Sequence, residues 1–510
     1  MNRTKNTIRN IKSGMINKIV TLLLPFLART ILIKTLGSEY AGLSSLFVSI
    51  LQVLNLAELG IGTAITFSLY RPTADEDVKT VRATMNLYRK LYRLIGVIVL
   101  VIGFALMPFL SFMIEGEVPS DVNLYVLYLI YLINAALTYF LFAYKTILLE
   151  VHQKNSIISN INTVLFLFQF IYQIVVLVCF KNYYLYIAIM PFITVINNIV
   201  GAYYARKIYP QYYCEGELPK EQRKAIRKRV YGLMIQKLCA TTRNSFDSIF
   251  ISAYLGLNMV AIYNNYFMIS SAITGFLAVI TTSMAASVGN SVATESVDKN
   301  YRDMNRIIFL YMFISTICTA CLLCLYQPFM TIWFGEEYLL GIIPVVLLCA
   351  YFYALKIGDI ISLYSQGAGL WWEGRYRALA EALLNLILNA ILGKIFGVSG
   401  IILGTLISLV LINFIYGSQI VFKYYFKSIN PVKYYARHIV YLVITCIVSV
   451  AAYFSTVSIP VNGFVGIIIK GGICIIMSVS VLILIYWKLG FLSDIKYVFN
   501  KVITNKKMEE

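Results

Sequence analysis

The stretch "INKIVTLLLPFLARTILIKTLG", Ile16 to Gly37, decides how the chain is read. It is apolar enough and long enough to cross a hydrocarbon layer of about 30 Å, yet it holds Arg29 inside the apolar run. A charged side chain near the middle of a spanning helix costs about 2.5–3.5 kcal/mol even on lenient insertion scales. The stretch therefore sets two questions, how many such segments there are and what the buried charge is for.

Composition answers the first. The chain has 510 residues, of which 59% are hydrophobic and only 13% charged. Its mean hydropathy is +0.76. Soluble domains do not have this composition. Apolar stretches recur along the whole length, with expected boundaries near 15–36, 42–69, 94–113, 123–144, 157–180, 183–205 and 231–255, then 260–289, 307–333, 339–366, 378–397, 399–422, 438–457 and 463–487. The expectation is an all-α polytopic membrane protein of about fourteen transmembrane helices. The mostly polar residues before the first span, with no small-residue cleavage site after it, argue against a cleavable signal peptide.

Charge gives an independent reading. With the N-terminus placed inside, most of the 43 Lys and Arg fall in tails and loops on the cytoplasmic side. Only Lys34, Lys181 and Lys394 fall in outside loops, which hold acids such as Glu39, Glu115, Asp121 and Glu336. This is the asymmetry of the positive-inside rule. Trp333, Trp371, Trp372 and Trp487 fall at expected span ends, where indoles settle. The net charge of +19 is thereby explained by orientation and the anionic inner leaflet, with no nucleic-acid partner. Both termini are expected to be cytoplasmic and the protein to sit in the cytoplasmic (inner) membrane.

The densest basic run, "KEQRKAIRKR" at 220–229, reads as a membrane-surface linker that also divides a repeat. "TLGSEYAGLSSLFVSIL" (35–51) and "YLGLNMVAIYNNYFMIS" (254–270) align through their Leu-Gly pair and fall six spans apart. An even number of spans restores orientation, so two six-helix lobes, 1–218 and 219–430, are expected in a parallel pseudo-twofold repeat. A C-terminal helix pair and tail, 431–510, stand outside it.

Catalytic signals are weak. Cys318, Cys321 and Cys324 have a spacing seen in iron–sulfur ligation, but all lie in an apolar span and read as small buried hydrophobes. The scattered cysteines indicate no disulfide framework. His152 and His438 lie at span ends and make a poor acid–base or metal set. No phosphate loop or nucleophile elbow is present. The expectation is a protein that is not an enzyme and uses no metal or cofactor.

The intramembrane charges remain: Arg29, Glu58, Lys237, Arg243, Asp247, Lys356, Asp359, Glu381 and Lys470. Polar stripes accompany them. Glu381, Asn385 and Asn389 recur every four residues, Asn162, Gln169 and Gln173 at seven and four, and Gln52, Asn55 and Glu58 every three. A bundle with a hydrated interior follows. Arg243 with Asp247, and Lys356 with Asp359, stand at helical spacing and could equally be structural ion pairs. Arg29 has no acid three or four positions away, and Lys237 is likewise alone in sequence. Glu58 and Glu381 have no base within four positions, which makes them candidates for a carboxyl that exchanges protons, with Asp247 and Asp359 as alternatives. Hydrogen-bonded carboxyls between helices are the plainer reading.

The segments "ARTILIKTLGSEYAGLSSLF", "AELGIGTAI" followed by "LYRP", "RKLYRLIG", "FDSIFISAYLG", "VAIYNNY" and "GLWWEGRYRALAEALLNLILNAILGKIFGVSGIILGTLIS" resemble a Wzx-type polysaccharide (O-antigen or capsule) flippase. Such proteins belong to the multidrug/oligosaccharidyl-lipid/polysaccharide exporter superfamily. The resemblance covers nearly all of the chain. It implies a MATE-like two-lobed fold and a polyprenyl-diphosphate-linked oligosaccharide as substrate. Carried to this chain, it implies that Arg29, Arg243 and Asp247 are charged cavity residues. Arg29, Lys237, Arg243 and Lys356 are then the expected substrate cations, with Asn55, Asn264, Asn385 and Asn389 as polar lining. Membrane lipids and other polysaccharide assembly proteins are the remaining expected partners. A MATE-like drug or cation antiporter and a lipid II flippase are the alternatives on this fold, and a membrane polysaccharide polymerase is the enzymatic one. Five bases against four acids in the spans speak against a cation-binding cavity.

Overall fold

The computed structural model describes residues 3–58, 61–116, 118–152, 154–370, 373–459 and 463–488. Every regular element among them is helical. In chain order these are α1 (Arg3–Thr35), α2 (Ser38–Leu54), α3 (Ile61–Ala74), α4 (Val78–Leu106), α5 (Leu124–Phe140), α6 (Ile147–Val151), α7 (Asn155–Cys179) and α8 (Tyr183–Ile208). There follow α9 (Lys220–Thr294), α10 (Val297–Trp333), α11 (Ile342–Ile357), α12 (Asp359–Gly367), α13 (Arg375–Ser408), α14 (Gly417–Tyr424), α15 (Val432–Val457) and α16 (Gly463–Lys488). Single 3₁₀ turns occur at Asn55–Glu58 and Ala143–Thr146, and a π-helix at Leu409–Tyr416 joins α13 to α14.

The apolar runs become helices because lipid offers no partner for backbone N–H and C=O groups, so each segment must satisfy its own. Polar residues mark the starts. The side chains of Asp77, Asn182 and Ser296 accept from the backbone N–H of Thr80, Leu185 and Lys299 at the first turns of α4, α8 and α10.

Among the described residues ten helices are long and apolar enough to cross a membrane, or eleven if Leu124–Phe140 and Ala143–Val151, bent by 50°, form one span. Two of the ten, Ser245–Thr294 and Arg375–Tyr424, run for 50 residues, too far for a single crossing of about 30 Å. Both break at a glycine with non-helical backbone, Gly256 (φ 81) and Gly397 (φ 58). At Gly256 a side chain would be strained and would meet Glu115 O at 2.8 Å. The count reaches fourteen if each of the two glycine breaks divides two crossings and the bent pair and the pair α2 and α3 each make one, so length and composition leave the number unfixed. Trp333 and Trp487 lie at the ends of α10 and α16, while Trp371 and Trp372 fall outside the described residues.

Contacts group the chain into two compact units. One comprises the chain up to Asn264 together with Ala382–Ile401, the other Asn265–Glu381 and the chain from Ile402 onward. In the first, α1 packs along α7, with Asn17 Nδ2 donating to Thr163 Oγ1 at 3.1 Å, and α5 packs on both α4 and α8. Gly103 of α4 lets α5 approach, since a Cβ there would run into the Leu132 side chain. In the second unit α10, α15 and α16 pack mutually, and Thr316 and Thr445 share a 2.8 Å hydrogen bond. Large apolar side chains also cover the outside, Phe112 at 79%, Ile468 at 73% and Phe454 at 71% exposure. A water-facing surface would not carry them in such number; a lipid-facing one does.

Candidate functional site

Within the first unit, Arg29 of α1 reaches across to two other helices. Its Nη1 donates to Ser45 Oγ of α2 and its Nη2 to the carbonyl of Ala261 in α9, each at 3.2 Å. Both acceptors are neutral oxygens. Nearby, Ser44 shares a 2.6 Å hydrogen bond with Tyr183 and accepts from Tyr131 at 3.1 Å, so the α2 face beside Arg29 is a hydroxyl network.

Arg243 and Asp247 lie in α9 and are 8% and 1% exposed. The Asp247 carboxylate accepts from Tyr263 OH at 3.0 Å and from Asn389 Nδ2 of α13 at 2.7 Å. One residue further on, Ser248 accepts from Asn264 Nδ2 at 3.2 Å, and Ser245 donates to Gln52 Oε1 at 3.0 Å. Four sequence-predicted residues, Asp247 and Asn264 of α9, Asn389 of α13 and Gln52 of α2, are thereby joined around one stretch of α9. Lys237 is on the same helix, and its side chain lies outside the described residues.

Glu58 closes the 3₁₀ turn that follows α2. Tyr92 OH donates to its Oε1 at 2.8 Å and Tyr139 OH to its Oε2 at 2.6 Å. Tyr139 also meets Asn55 Oδ1 at 2.9 Å, and Tyr88 donates to Tyr92 at 3.0 Å. The carboxylate thus sits among three phenols from α4 and α5.

In the second unit Lys356 Nζ forms an ion pair with Asp359 Oδ2 at 2.7 Å, and Tyr311 OH donates to the same oxygen at 2.6 Å. The pairing suggested by their spacing is present. Glu381, 1% exposed, accepts from Asn413 Nδ2 of the π-helix at 3.1 Å. Asn385 and Asn389 follow it on α13 and are as deeply buried. Lys470 of α16 is 6% exposed. An apolar cavity of about 650 Å³ lies between α11, the π-helix and α15, with Tyr353, Phe414, His438, Leu442 and Val450 on its walls.

A family model described as "Polysaccharide biosynthesis protein" matches residues 7–286, more than half of the chain. The chain belongs to this family. Membership agrees with the resemblance carried by the sequence segments. No curated protein matches the chain. Among solved structures, the lipid II flippase MurJ in an inward closed conformation is similar with a TM-score of 0.65 at 15% identity, covering 94% of this chain and 99% of its own. An inward-facing multidrug resistance MATE family transporter of the MOP superfamily gives 0.58 at 15% identity, over 81% and 96%. A Vibrio cholerae MATE transporter gives 0.56 at 15% identity, over 84% and 98%. At this identity the likeness establishes the fold, which is the MATE-like fold expected from the sequence.

The partners that sequence reasoning missed are Ser45, Tyr92, Tyr139, Tyr263, Tyr311 and Asn413. Most are tyrosines scattered among 39 in the chain. Only Tyr88 and Tyr92, four apart on α4, carried a helical-spacing signal that could have marked them.

Proposed function

We propose that this chain is a flippase that moves polyprenyl-diphosphate-linked oligosaccharide across the cytoplasmic membrane for cell-surface polysaccharide assembly. The observation that carries the proposal is Arg29. A guanidinium is placed inside an apolar helix and bonded to a hydroxyl and a carbonyl, oxygens weaker as acceptors than a diphosphate. Planar bidentate donors suit phosphate, and the low-dielectric surroundings strengthen the contact. Family membership and the MATE-like fold support a carrier that has no catalytic step. Arg243, Lys237 and Lys356 are the further cations of the path, and Asn55, Asn264, Asn385 and Asn389 offer amides to sugar hydroxyls. The apolar cavity in the second unit has the volume and lining to take a length of hydrocarbon tail.

In this reading the lobes 1–218 and 219–430 open alternately to either side while the tail stays in lipid. Both termini and the linker are cytoplasmic. Glu58, Asp247, Asp359 or Glu381 couples the cycle to an ion, since only a differential interaction shifts an equilibrium between states.

The test is export of the glycan in cells carrying Arg29 variants at matched membrane levels. Arg29→Ala should abolish export, and Arg29→Lys should restore part of it, because an ammonium lacks the fork. Full export by the alanine variant overturns the assignment.

A further inference from the structure

The loop 209–219 lies along the polar end of α4 and is bonded to it at successive turns. Arg82 donates from Nε to Gln211 O at 2.7 Å and from Nη1 to Tyr213 OH at 2.6 Å, with its guanidinium 3.7 Å from the Tyr213 ring centroid. Asn86 Nδ2 donates to Gly216 O at 2.9 Å, and Lys90 Nζ meets Glu217 Oε1 at 3.3 Å. Cys214 is thereby pinned, half-buried, between bonded points on α4.

A second segment arrives at the same place. Helix α5 ends at Phe140, Phe142 takes a left-handed φ of 54°, and the turn Ala143–Thr146 that follows packs against α4. Tyr144 comes within hydrogen-bond reach of the Cys214 thiol, and the charges acting on that thiol are Arg89, Lys145 and Arg93. Arg89 and Arg93 stand one turn apart on α4. Arg89 Nη2 donates to the neutral Asn86 Oδ1 at 2.8 Å. The loop's own acid, Glu217, is engaged by Lys90 and by Arg223 at 3.1 Å. Among the described residues no carboxylate pairs with Arg89, Arg93 or Lys145. Arg89 and Lys145 are half-buried and Arg93 is exposed, so the group opens outward through Arg93.

Orientation alone needs an excess of bases, spread through water where they repel least. Arg89 and Arg93 lie one turn apart on α4 and Lys145 on the turn packed against that helix; bases so placed, two of them partly desolvated, repel more strongly, and an anion seated among them relieves that repulsion. We propose that Arg89, Arg93 and Lys145 hold the phosphate group of a membrane lipid, with Tyr144 and Cys214 forming the floor of the site. Two guanidiniums supply bidentate donors and the ammonium a point charge, as phosphate recognition requires. The site is separate from Arg29, and it does not depend on which sugar is carried. The phosphate can come from a bilayer glycerophospholipid or from a polyprenyl diphosphate.

Cys214 reports on occupancy. Burial pushes its thiol up while the three bases pull the other way, and a phosphate bound over it blocks the approach of a reagent. The full chain is placed in nanodiscs of phosphatidylcholine, of phosphatidylcholine with phosphatidylglycerol, and of phosphatidylcholine with a polyprenyl diphosphate. Alkylation of Cys214 by N-ethylmaleimide is then followed by peptide mass spectrometry, with exposed Cys179 as internal reference. The expected result is a several-fold slowing at Cys214 relative to Cys179 with at least one anionic lipid. Slowing by both identifies a general lipid-phosphate site, by the diphosphate alone a site for the carried lipid. The ratio of rates with and without anionic lipid should return to one in the Arg89→Gln, Arg93→Gln, Lys145→Gln triple variant, while Cys179 reacts as before. Equal rates in all three discs overturn the proposal, as does slowing that survives in the triple variant, which would reflect surface charge alone.

Discussion

Asn389 Nδ2 donates to Asp247 Oδ1 at 2.7 Å, although 142 residues separate them in the chain. The bond ties α13 to α9 inside the first unit, where Asp247 is 1% exposed and Asn389 fully buried. Replacing Asn389 by Leu leaves a buried carboxylate short of a donor, which costs about 1–3 kcal/mol. Thermal unfolding in detergent should show a clear loss of stability for Asn389→Leu. Asp247→Asn combined with Asn389→Leu should recover part of the loss, because the unsatisfied charge is then gone. An additive double variant would contradict the pairing.

The phenols of Tyr92 and Tyr139 hold opposite oxygens of Glu58. Tyr92→Phe and Tyr139→Phe should each destabilise by about 1.5–3 kcal/mol, the range for hydrogen bonds to charged groups. In a double-mutant cycle the two should couple by more than about 0.5 kcal/mol, since they share one acceptor group. If Glu58 is first changed to Gln, both tyrosine effects should shrink.

Lys356 and Asp359 form an ion pair of unequal burial, with side chains 3% and 32% exposed. Removing the acid strands a nearly buried ammonium, and breaking such pairs costs about 3–5 kcal/mol. Removing the base strands a carboxylate that keeps both its Tyr311 donor and some solvent. Asp359→Asn should therefore lower the melting temperature more than Lys356→Met. The reverse order would show that the ammonium has another anchor.

Glu217 joins Lys90 and Arg223, and its hydrogen bonds to these two bases hold its carboxyl below the ordinary glutamate value. A group with a lowered folded-state pKa contributes above its unfolded value, and the contribution fades as pH falls through the folded one. The loop 209–219 should stay fastened at neutral pH and loosen only in acid, below the usual carboxyl range. Hydrogen exchange of this loop at neutral pH should be faster in Glu217→Gln than in the parent chain. Unchanged exchange would show that Arg82 and Asn86 suffice to hold it.

The helical class, the membrane and the polar stripes were legible because each depends on spacing along one segment. The stripe at Glu381, Asn385 and Asn389 indeed lies on one helix, and the Lys356–Asp359 spacing became a bond. What periodicity gives is the face of a helix, and it is silent on which helix that face meets. Hence Arg29 could be singled out, whereas its contacts Ser45 and Ala261 could not. The phenols around Glu58 were hidden for the same reason, since a tyrosine in a lipid-facing row and one aimed at a carboxylate look alike in sequence. Gly256 and Gly397 break the two long helices where the expected spans 231–255 and 260–289, and 378–397 and 399–422, meet, whereas the bend between α5 and α6 lies inside the expected span 123–144.

The π-helix at Leu409–Tyr416 carries a surplus residue relative to α-helical pitch, and Asn413, the donor to Glu381, lies inside it. Each residue advances a helix by about 100°, so one extra residue resets the angular phase of everything beyond it. The amide of Asn413 points at Glu381 because of that offset, and the register of α14 inherits it. A wide turn can also be handed along a helix at little cost, since its hydrogen bonds exchange between neighbouring carbonyls. A shift of the bulge by one position would turn Asn413 away from Glu381 while leaving both helices intact.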